Sequence, residues 1–492
     1  MAAASTAAAV TPARSIFRKV AVVIVLLMAL DMIRYHFKRM KMKARARWFS
    51  LPFLGDFPTI VADPTKFWDN LIALAPNGIS AFKILTQAAI FVTNPKFAKQ
   101  IFDDQENFTL FVHPNSPKLL GEDNLVYMSR EDLVRWRRAM VPNLKKAEVL
   151  HAAAYTAVNS CSNMLRKIAA RSPAEQAEND VRYDIRLMNA HLSLKVFLGG
   201  YLQKGEAEWI ADDLIVVTNG FIAAPVDLPF TDLGKGKAAS QRIMKVLHRI
   251  SDECFRRMKN NEEPLCVLDR ITDSCIKAGI KGYGRTPADI AHAGLDFCFA
   301  AQDATTSALC WCIHSMEKHP EVADKIREEL DRVLDKDVDF TEALPRAYNA
   351  NKLPYLRAAA INQLQYRPPV PMVPHIARHD TELGDHKIEK GTIAFASVMG
   401  SKANIEGADR FEPDPDNMLD PAFKKVLCFG GGPHMCPGRF YASNTVALFM
   451  ATLVHGYDVD RIRKPGGEDI IYLPTLYPRD SLYVMKSRAE AA

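Results

Sequence analysis

The eleven residues from Phe429 to Arg439 constrain this chain more than any other part of its 492 residues. They read Phe-Gly-Gly-Gly-Pro-His-Met-Cys-Pro-Gly-Arg and fit the pattern Phe-x-x-Gly-x-x-x-Cys-x-Gly, with Gly432 as the inner glycine and Gly438 as the last. Glycines let the backbone pass close beneath a flat ligand, at dihedral angles that other residues avoid. We expect Pro437 to open a helix, because proline suits the first helical turn.

Cys436 would then lie at the amino-terminal end of a helix over residues 437 to about 453, where the helix dipole and free backbone N–H groups stabilise a thiolate. A thiolate held in this way is the proximal ligand of haem iron in oxygen-activating enzymes. Cys436 is therefore the candidate metal ligand, and Phe429, Gly432 and Gly438 are candidate haem-binding residues. The alternative is a glycine-rich surface loop with an unused cysteine.

Basic residues near the N-terminus account for the net charge of +6. Between Asp31 and Asp56 there are seven basic residues and no acidic one, which leaves the rest of the chain at −1. A local basic stripe on a nearly neutral chain excludes a nucleic-acid-binding body, so we expect no nucleic-acid partner. The seven basic residues are Arg34, Lys38, Arg39, Lys41, Lys43, Arg45 and Arg47.

An apolar run, Val20–Leu30, precedes the basic stripe. It is shorter than the roughly 20 residues that a spanning helix needs, but Met32 and Ile33 extend it, and flanking Lys and Arg side chains can reach the membrane interface. A cleaved signal peptide is the alternative, although no small-residue cleavage site follows. We predict that residues 1–47 form a single-pass membrane anchor whose basic flank stays on the cytosolic side.

The rest of the chain has the pattern of one mostly helical domain. Its nine cysteines are scattered and include no Cys-x-x-Cys pair, which is typical of reduced thiols in the cytosol. No linker or repeat interrupts the chain, so residues 48–492 are predicted to form one catalytic domain. Helical patterns dominate, with strands expected at residues 88–93 and 392–397. The predicted fold class is mostly α with small β-sheets (α+β).

A helix of about 30 residues is expected to start at Thr286-Pro287, because threonine caps a helix and proline suits its first turn. It need not end before His319, and it is apolar nearly all round, so it should cross the interior. Six mostly polar residues, Gln302–Ser307, interrupt it. They form either an exposed polar face or a hydrated groove in which dioxygen is bound and protonated, because buried polar groups are costly unless they are paired.

The cysteine loop resembles the haem-binding loop of the cytochromes P450. Further segments are similar to the sterol C-22 desaturase branch of that family, and the likeness runs from about Trp48 to the C-terminus. The similar segments are Leu119–Met128, Pro225–Phe230, Phe299–Thr306 and Arg367–Ala377. The resemblance implies the cytochrome P450 fold, with haem as the cofactor and an N-terminal membrane anchor.

The resemblance also implies roles for individual residues. The long helix passes over the distal face of the haem in this family, so Asp303 and Thr305 are the expected catalytic proton relay, with Ala304 in place of the usual threonine. Basic residues hold the haem propionates in this family. The candidates here are Arg137, Arg138, His375 and His434, while Met140 occupies the position of the usual arginine.

Three positions depart together from the family pattern of Glu-x-x-Arg and a later Arg. Asn362 stands where Glu is expected, Gln365 where the first Arg is expected and Pro415 where the second is expected. Charge-assisted hydrogen bonds are thus replaced by neutral groups. Either Asn362 and Gln365 pair with each other and preserve the fold, or haem is held weakly and the activity has changed.

The function implied is that of a haem-thiolate oxidoreductase resembling sterol C-22 desaturase, which introduces a double bond into a sterol side chain. It would use O₂ and electrons from NADPH, through an NADPH–cytochrome P450 reductase, at the endoplasmic reticulum membrane with the catalytic domain facing the cytosol. Apolar pocket walls are expected at residues 110–117, 221–230 and 372–375. The alternatives are a hydroxylase of sterols or fatty acids, and a non-redox haem-binding or scaffold protein that lost turnover.

Overall fold

Most of the residues that the computed structural model describes are helical, and the strands form small sheets, which confirms the predicted fold class. The described residues are 10–47, 50–75, 77–122, 124–278, 284–399, 411, 427–465, 470–472 and 475–488.

The helices are α1 Val10–Met42, α2 Phe57–Ala62, α3 Pro64–Ala73, α4 Pro95–Asp103, α5 Ser116–Leu120, α6 Arg130–Leu144, α7 Ala147–Ala169, α8 Pro173–Glu178, α9 Arg182–Leu198, α10 Glu206–Ile222, α11 Asp232–Lys259, α12 Val267–Ala278, α13 Pro287–Lys318, α14 Pro320–Val333, α15 Phe340–Asn349, α16 Pro354–Tyr366 and α17 Arg439–Gly456. Among the described residues, Gly199–Tyr201 and Gly432–His434 form 3₁₀ turns.

The strands are β1 Arg45–Ala46, β2 Ile79–Ile84, β3 Gln87–Val92, β4 Phe108–Leu110, β5 Met372–Ala377, β6 Thr381–Leu383, β7 His386–Ile388, β8 Ile393–Ser397, β9 Tyr457–Arg461, β10 Ile470–Tyr472, β11 Leu476–Pro478 and β12 Tyr483–Ser487.

The chain divides into two units, of which the first comprises residues 1–111 and 372–397. Its six-stranded sheet has the order β1-β2-β3-β8-β5-β4, in which β2 and β3 pair antiparallel and β3 and β8 pair parallel. Trp68 of α3 packs against Phe82, Phe91 and Phe395 of the sheet, with ring centroids 5.2–5.7 Å apart. The predicted strands at residues 88–93 and 392–397 are present as β3 and β8.

Helix α1 belongs to the first unit, and its second half is fastened to it by charged groups. The ammonium group of Lys83 on β2 is fully buried and pairs with the carboxylate of Asp31, which also accepts a hydrogen bond from the backbone N–H of Phe53 at 2.9 Å. Lys41, near the end of α1, pairs with Glu389 at 2.7 Å. Within the parts of the chain that the structure describes, no helix is long and apolar enough to cross a membrane. The predicted membrane anchor is therefore not confirmed.

The second unit comprises residues 112–371 and 398–492 and is built around α13. Thr286 and Asp289 form a reciprocal capping box at its start, Pro287 is its first residue, and the helix continues for 32 residues, as the sequence predicts. Helices α9, α11 and α17 pack against it, and 20 of its residues are buried. A helix that is buried on nearly all sides has an apolar sequence on nearly all sides.

Short strands near the C-terminus close one side of α13. Strand β9 pairs antiparallel with β12, and β10 pairs antiparallel with β11. The backbone carbonyl of Leu476 on β11 accepts hydrogen bonds from the Ser307 hydroxyl and from the Trp311 indole N–H, the latter at 2.8 Å. Both donors are buried on α13, so β11 satisfies polar groups that the interior would otherwise leave unpaired.

Candidate active site

The loop before α17 brings the backbone of Cys436 to that of Phe429. The backbone N–H of Cys436 donates to the carbonyl oxygen of Phe429 at 2.9 Å, which closes the loop around its glycines. Gly430 and Gly432 have φ angles of +71° and +60°, which side chains disfavour. These contacts fix the position of the Cys436 backbone.

The helix after Cys436 begins two residues later than the sequence predicted. Its first residue is Arg439 and its N-cap is Gly438, so Pro437 does not open it. Pro437 and Gly438 instead form a turn, and the Gly438 carbonyl accepts the first helical hydrogen bond from Ala442 at 2.8 Å. Cys436 thus lies three residues before the first residue of the helix and is not part of its first turn.

Burial raises the pKa of the partly buried Cys436 thiol, and three groups oppose that effect. They are the backbone N–H of Gly438, which donates to the sulfur, and the guanidinium groups of Arg439 and Arg137. The neighbouring Cys428 differs, because burial raises the pKa of its thiol to about 12 with little positive charge nearby. Within this loop, Cys436 is therefore the thiol with positive groups that offset part of the effect of burial, and a bound metal cation would favour its thiolate.

The two arginines proposed for haem binding on α6 have different surroundings. Arg137 is partly buried, and its Nη2 donates to the backbone carbonyl of Met435 at 2.7 Å. Its Nη1 is buried and has no hydrogen-bond partner among the described residues. Arg138 is exposed and forms no ion pair or hydrogen bond with the part of the chain that the structure describes. The geometry favours Arg137 over Arg138 as a ligand-facing group.

The two candidate histidines lie in different units. His434 is in the 3₁₀ turn of the cysteine loop, where burial and the charge of Arg137 lower its pKa to about 4, so its ring is neutral at neutral pH. His375 is on β5 in the first unit, where it is buried, packs against the ring of Phe102 and bonds through Nδ1 to the Val373 carbonyl at 3.1 Å.

A cavity of about 220 Å³ opens in the second unit between the cysteine loop, α6 and α13. Its lining is largely apolar, and Asp296 is the one ionisable side chain among the described residues that form it. The lining residues are Val112, Ser116, Leu120, Asn124, Leu125, Val126, Trp136, Met140, Phe221, Ala293, Asp296, Phe297, Phe299, Ala300 and Pro437. The cavity therefore suits an apolar ligand beside the Cys436 loop.

The polar residues in the middle of α13 are buried and paired with other elements. The Asp303 carboxylate accepts hydrogen bonds from Arg186 on α9 at 2.6 Å, from the Thr475 hydroxyl at 2.6 Å and from the Tyr477 hydroxyl at 3.0 Å. The interpretation of this segment as an exposed polar face is therefore wrong. Thr305 is also buried, and neither it nor Asp303 lines the cavity.

The sequence matches the model of one protein family, cytochrome P450, over residues 48–477. The chain belongs to the cytochrome P450 family. Cytochrome P450 710A4 of Arabidopsis thaliana is 32% identical to it over 453 residues, which cover 89% of this chain and 90% of that protein. The C-22 sterol desaturase erg5 of Aspergillus fumigatus is 25% identical over 477 residues, which cover 91% of this chain and 90% of that protein.

The fold of this P450 is shared with a solved structure, a retinoic acid-bound cyanobacterial CYP120A1. The two structures superpose with a TM-score of 0.71 over 90% of this chain and 99% of the other, at 18% sequence identity. The protein is thus an oxidoreductase of the monooxygenase class, and its cofactor is haem bound through a cysteine thiolate.

The residues around Cys436 fit a flat ligand with an anionic edge. The unpaired, buried Nη1 of Arg137 is a donor that a propionate can satisfy. A Cβ added at Gly438 would meet no heavy atom within 4 Å, so open space lies next to this residue. Its φ of −85° is one that other residues also adopt, so the backbone conformation itself does not require glycine here. An unpaired hydrogen-bond donor for a propionate, and backbone without a side chain beside the candidate thiolate, are features that can hold haem.

The departure from the family's Glu-x-x-Arg pattern is accommodated by a pair of buried amides. Gln365 donates through Nε2 to Oδ1 of Asn362 at 3.4 Å, and both side chains lie on α16. The pair has no net charge, so no buried charge is left without a partner. This geometry favours the interpretation in which the fold is preserved. Pro415 lies outside the described residues.

Two parts of the site were not predicted from the sequence. Arg186 and Tyr477, which hold Asp303, are far from it in the chain, so no local pattern indicates them. Asp296 has a sequence signal, since it is the one acidic residue in the apolar run Ile290–Ala301 of a core helix. Of the predicted pocket walls, Val112, Ser116 and Phe221 line the cavity.

Proposed function

We propose that this P450 introduces a C-22 double bond into a sterol side chain. The observation that carries the proposal is the apolar cavity beside the Cys436 loop, in a chain whose relatives of matching length include C-22 sterol desaturases. A sterol side chain has no charged group, so a cavity of this kind can hold it by contact alone. The electrons come from NADPH through an NADPH–cytochrome P450 reductase.

Cys436 is the proposed thiolate ligand, and the loop from Phe429 to Gly438 is the proposed haem cradle. Haem, when bound there, supplies the activation of dioxygen. Arg137 holds the ligand's anionic edge through its free Nη1, and His434 in the same loop is the second candidate for that role. Arg138 and His375 have no comparable support as haem ligands.

Asp303 and Thr305 remain the proposed proton relay. The Asp303 carboxylate accepts hydrogen bonds from the hydroxyl groups of Tyr477 and Thr475, so a proton can reach it from the side of β11. Arg186 forms an ion pair with the same carboxylate at 2.6 Å and orients it toward these hydroxyl groups. Thr305, two residues along the same helix, is the next candidate to hold the proton.

The overall reaction balances in hydrogen and electrons. One –CH₂–CH₂– unit of the sterol loses two hydrogen atoms, and with them two electrons, and becomes –CH=CH–. NADPH and one proton supply two further electrons and two further hydrogens. Together these reduce O₂ to two molecules of water. Hydroxylation differs only in that one oxygen atom is kept by the substrate and one water is formed. The two outcomes share the same site, so the placement of the side chain decides between them.

The test is reconstitution of the haem-loaded protein with its reductase, NADPH and a sterol saturated at C-22, followed by mass spectrometry. A product lighter by two hydrogens supports the proposal, and a product heavier by one oxygen identifies a hydroxylase. A reduced carbon-monoxide difference spectrum is recorded on the same sample. A haem-thiolate band without turnover of any lipid would identify the scaffold function instead.

We also propose that residues 48–492 form the catalytic domain, held at the endoplasmic reticulum membrane with that domain in the cytosol. Support comes from the exposed apolar side chains in the first half of α1, between Ile16 and Leu30. Deletion of residues 1–28 should move the protein from the membrane pellet into the supernatant. A deletion variant that still sediments with membranes would contradict this attachment.

A further inference from the structure

Asp296 on α13 holds the segment Asn124–Val126, which lies between α5 and α6. The side-chain amide of Asn124 donates to Oδ1 of Asp296, and the backbone N–H of Leu125 donates to Oδ2 at 3.2 Å. Both carboxyl oxygens are thus engaged by one short piece of chain.

The start of the same connection also lies against α13. Gly121 ends α5 with a φ of +88°, and a Cβ added there would come within 2.9 Å of the His292 ring, one turn before Asp296 on α13. The described parts of this connection therefore meet α13 at two places, Gly121 beside His292 and Asn124–Leu125 at Asp296.

The held segment is a wall of the cavity. Leu125 and Val126 present apolar side chains to it, while Ala300 and Pro437 line other parts of the same cavity. Pro437 follows Cys436 directly, so this wall faces the space beside the proposed haem ligand. Any shift of Leu125 and Val126 changes the shape of the space that a substrate can occupy.

The charge state of Asp296 is compatible with an apolar ligand. Burial raises its pKa to about 8, and the Leu125 N–H opposes this only in part. A carboxyl group with a pKa near neutrality does not place a permanent full charge in the cavity. It can therefore hold the segment without excluding an uncharged lipid, which an unpaired buried charge would do.

We propose that Asp296 is a positioning residue for the substrate: it holds Asn124–Val126 against α13 and thereby sets the wall that Leu125 and Val126 form beside the substrate. The inference rests on the proposed function in one respect, namely that this cavity receives the substrate. Nothing in it depends on which lipid that substrate is.

A reciprocal exchange of the two side chains tests the proposal. Asp296→Asn alone brings two amide groups together, so one hydrogen bond is lost, and Asn124→Asp alone brings two carboxyl groups together. The double exchange restores the pair, because the amide now at 296 donates to the carboxylate now at 124 and its carbonyl still accepts from Leu125. The Val126 N–H, which donates to Oδ1 of Asn124 at 2.9 Å, keeps an acceptor in every variant.

Amide hydrogen exchange of the haem-loaded, full-length variants measures directly how firmly Asn124–Val126 is attached to α13. Peptides that cover Leu125 and Val126 should exchange roughly tenfold faster in each single variant, because the segment loses a hydrogen bond to α13, and at nearly the parent rate in the double exchange. Glu122→Gln is the matched control, because Glu122 is exposed in the same connection. Parent rates in both single variants, or no recovery in the double exchange, would overturn the proposal.

Spectral titration with two ligands then tests whether the attachment of Asn124–Val126 to α13 affects binding in the cavity. Cholesterol, a long apolar ligand, should bind several-fold more weakly to each single variant and recover in the double exchange. The small ligand 1-phenylimidazole should bind all variants alike, since it needs little of the wall. If cholesterol binding is equal in all variants while exchange differs, the wall does not contact the substrate and the proposal fails. If the parent binds no sterol, the proposed function fails, while the exchange rates still decide the role of Asp296.

Discussion

The buried ion pair between Asp31 and Lys83 should contribute much more stability than the exposed pair between Lys41 and Glu389. Both pairs join α1 to the rest of the first unit. The Lys83 side chain is 0% exposed and that of Asp31 is 11% exposed, whereas Lys41 is 62% exposed. Burial decides the difference, because water screens an exposed pair and cannot reach a buried one.

Asp31→Ala leaves the ammonium group of Lys83 buried without a counter-ion. An uncompensated buried charge of this kind destabilises a protein by about 3–5 kcal/mol. Loss of the hydrogen bond from Phe53 adds little, because that bond is exposed to water. Lys41→Ala removes an equally direct contact from the same helix, yet its effect should lie within the error of the measurement.

The assay is the midpoint of urea unfolding of the full-length variants, with Asp31→Leu/Lys83→Met as a third variant. Removal of both charges should recover most of the lost stability, since apolar residues of similar size replace a buried pair at little cost. Equal midpoints for Asp31→Ala and Lys41→Ala would refute the reasoning, and so would a double variant less stable than Asp31→Ala. The result also fixes where the chain can be shortened: a deletion that extends past Asp31 should destabilise the first unit.

Cys436→Ser should abolish the carbon-monoxide band of a haem-thiolate protein and Cys428→Ser should keep it, because a thiol with a pKa of about 12 stays protonated; a band that survives Cys436→Ser would exclude it as the ligand. Asn362→Glu should lower the haem content per protein, because it buries a carboxylate beside a neutral amide, and adding Gln365→Arg should restore part of it. Unchanged haem in the single variant would show that this site reaches solvent. Raising the pH from about 6 to about 9 should lower the melting temperature of the parent more than that of Asp296→Asn. The pKa of Asp296 is raised from 3.8 to about 8 in the folded protein. The contribution of its protonated form to stability is therefore fully present below pH 3.8 and is lost as the pH rises to about 8. An equal change of melting temperature with pH in the parent and in Asp296→Asn would contradict the raised pKa of Asp296.

The parts of the fold that the sequence predicts are those whose chemistry is local. The capping box of α13 involves Thr286 and Asp289, three residues apart, and the start of this helix was predicted to the residue. The loop around Cys436 is equally local, because its glycines and its sulfur lie within ten residues. The start of α17 shows the limit of such rules, since Pro437 suits a first turn but Gly438 is the residue that caps the helix.

The surroundings of Asp303 could not be predicted from the sequence. An acidic residue in the middle of an apolar helix needs hydrogen-bonding or charged partners, and the sequence does not indicate which groups these are. The partners that decide the matter, Arg186 and Tyr477, lie 117 residues before it and 174 residues after it. Only the fold brings such distant groups together, and no periodicity in the sequence records the pairing.

The distance in sequence between Asp303 and its partners also imposes an order on the synthesis of the protein. Thr475 and Tyr477 follow Asp303 by 172 and 174 residues, so at roughly 5–20 residues per second the ribosome delivers them roughly 9–35 s later. During that interval α13 lacks two of the three donors to its buried carboxylate, as well as the strand that covers Ser307 and Trp311. The core of the second unit is therefore completed only when the last residues of the chain emerge, and a nascent chain stalled before Thr475 presents an unfinished interior to chaperones.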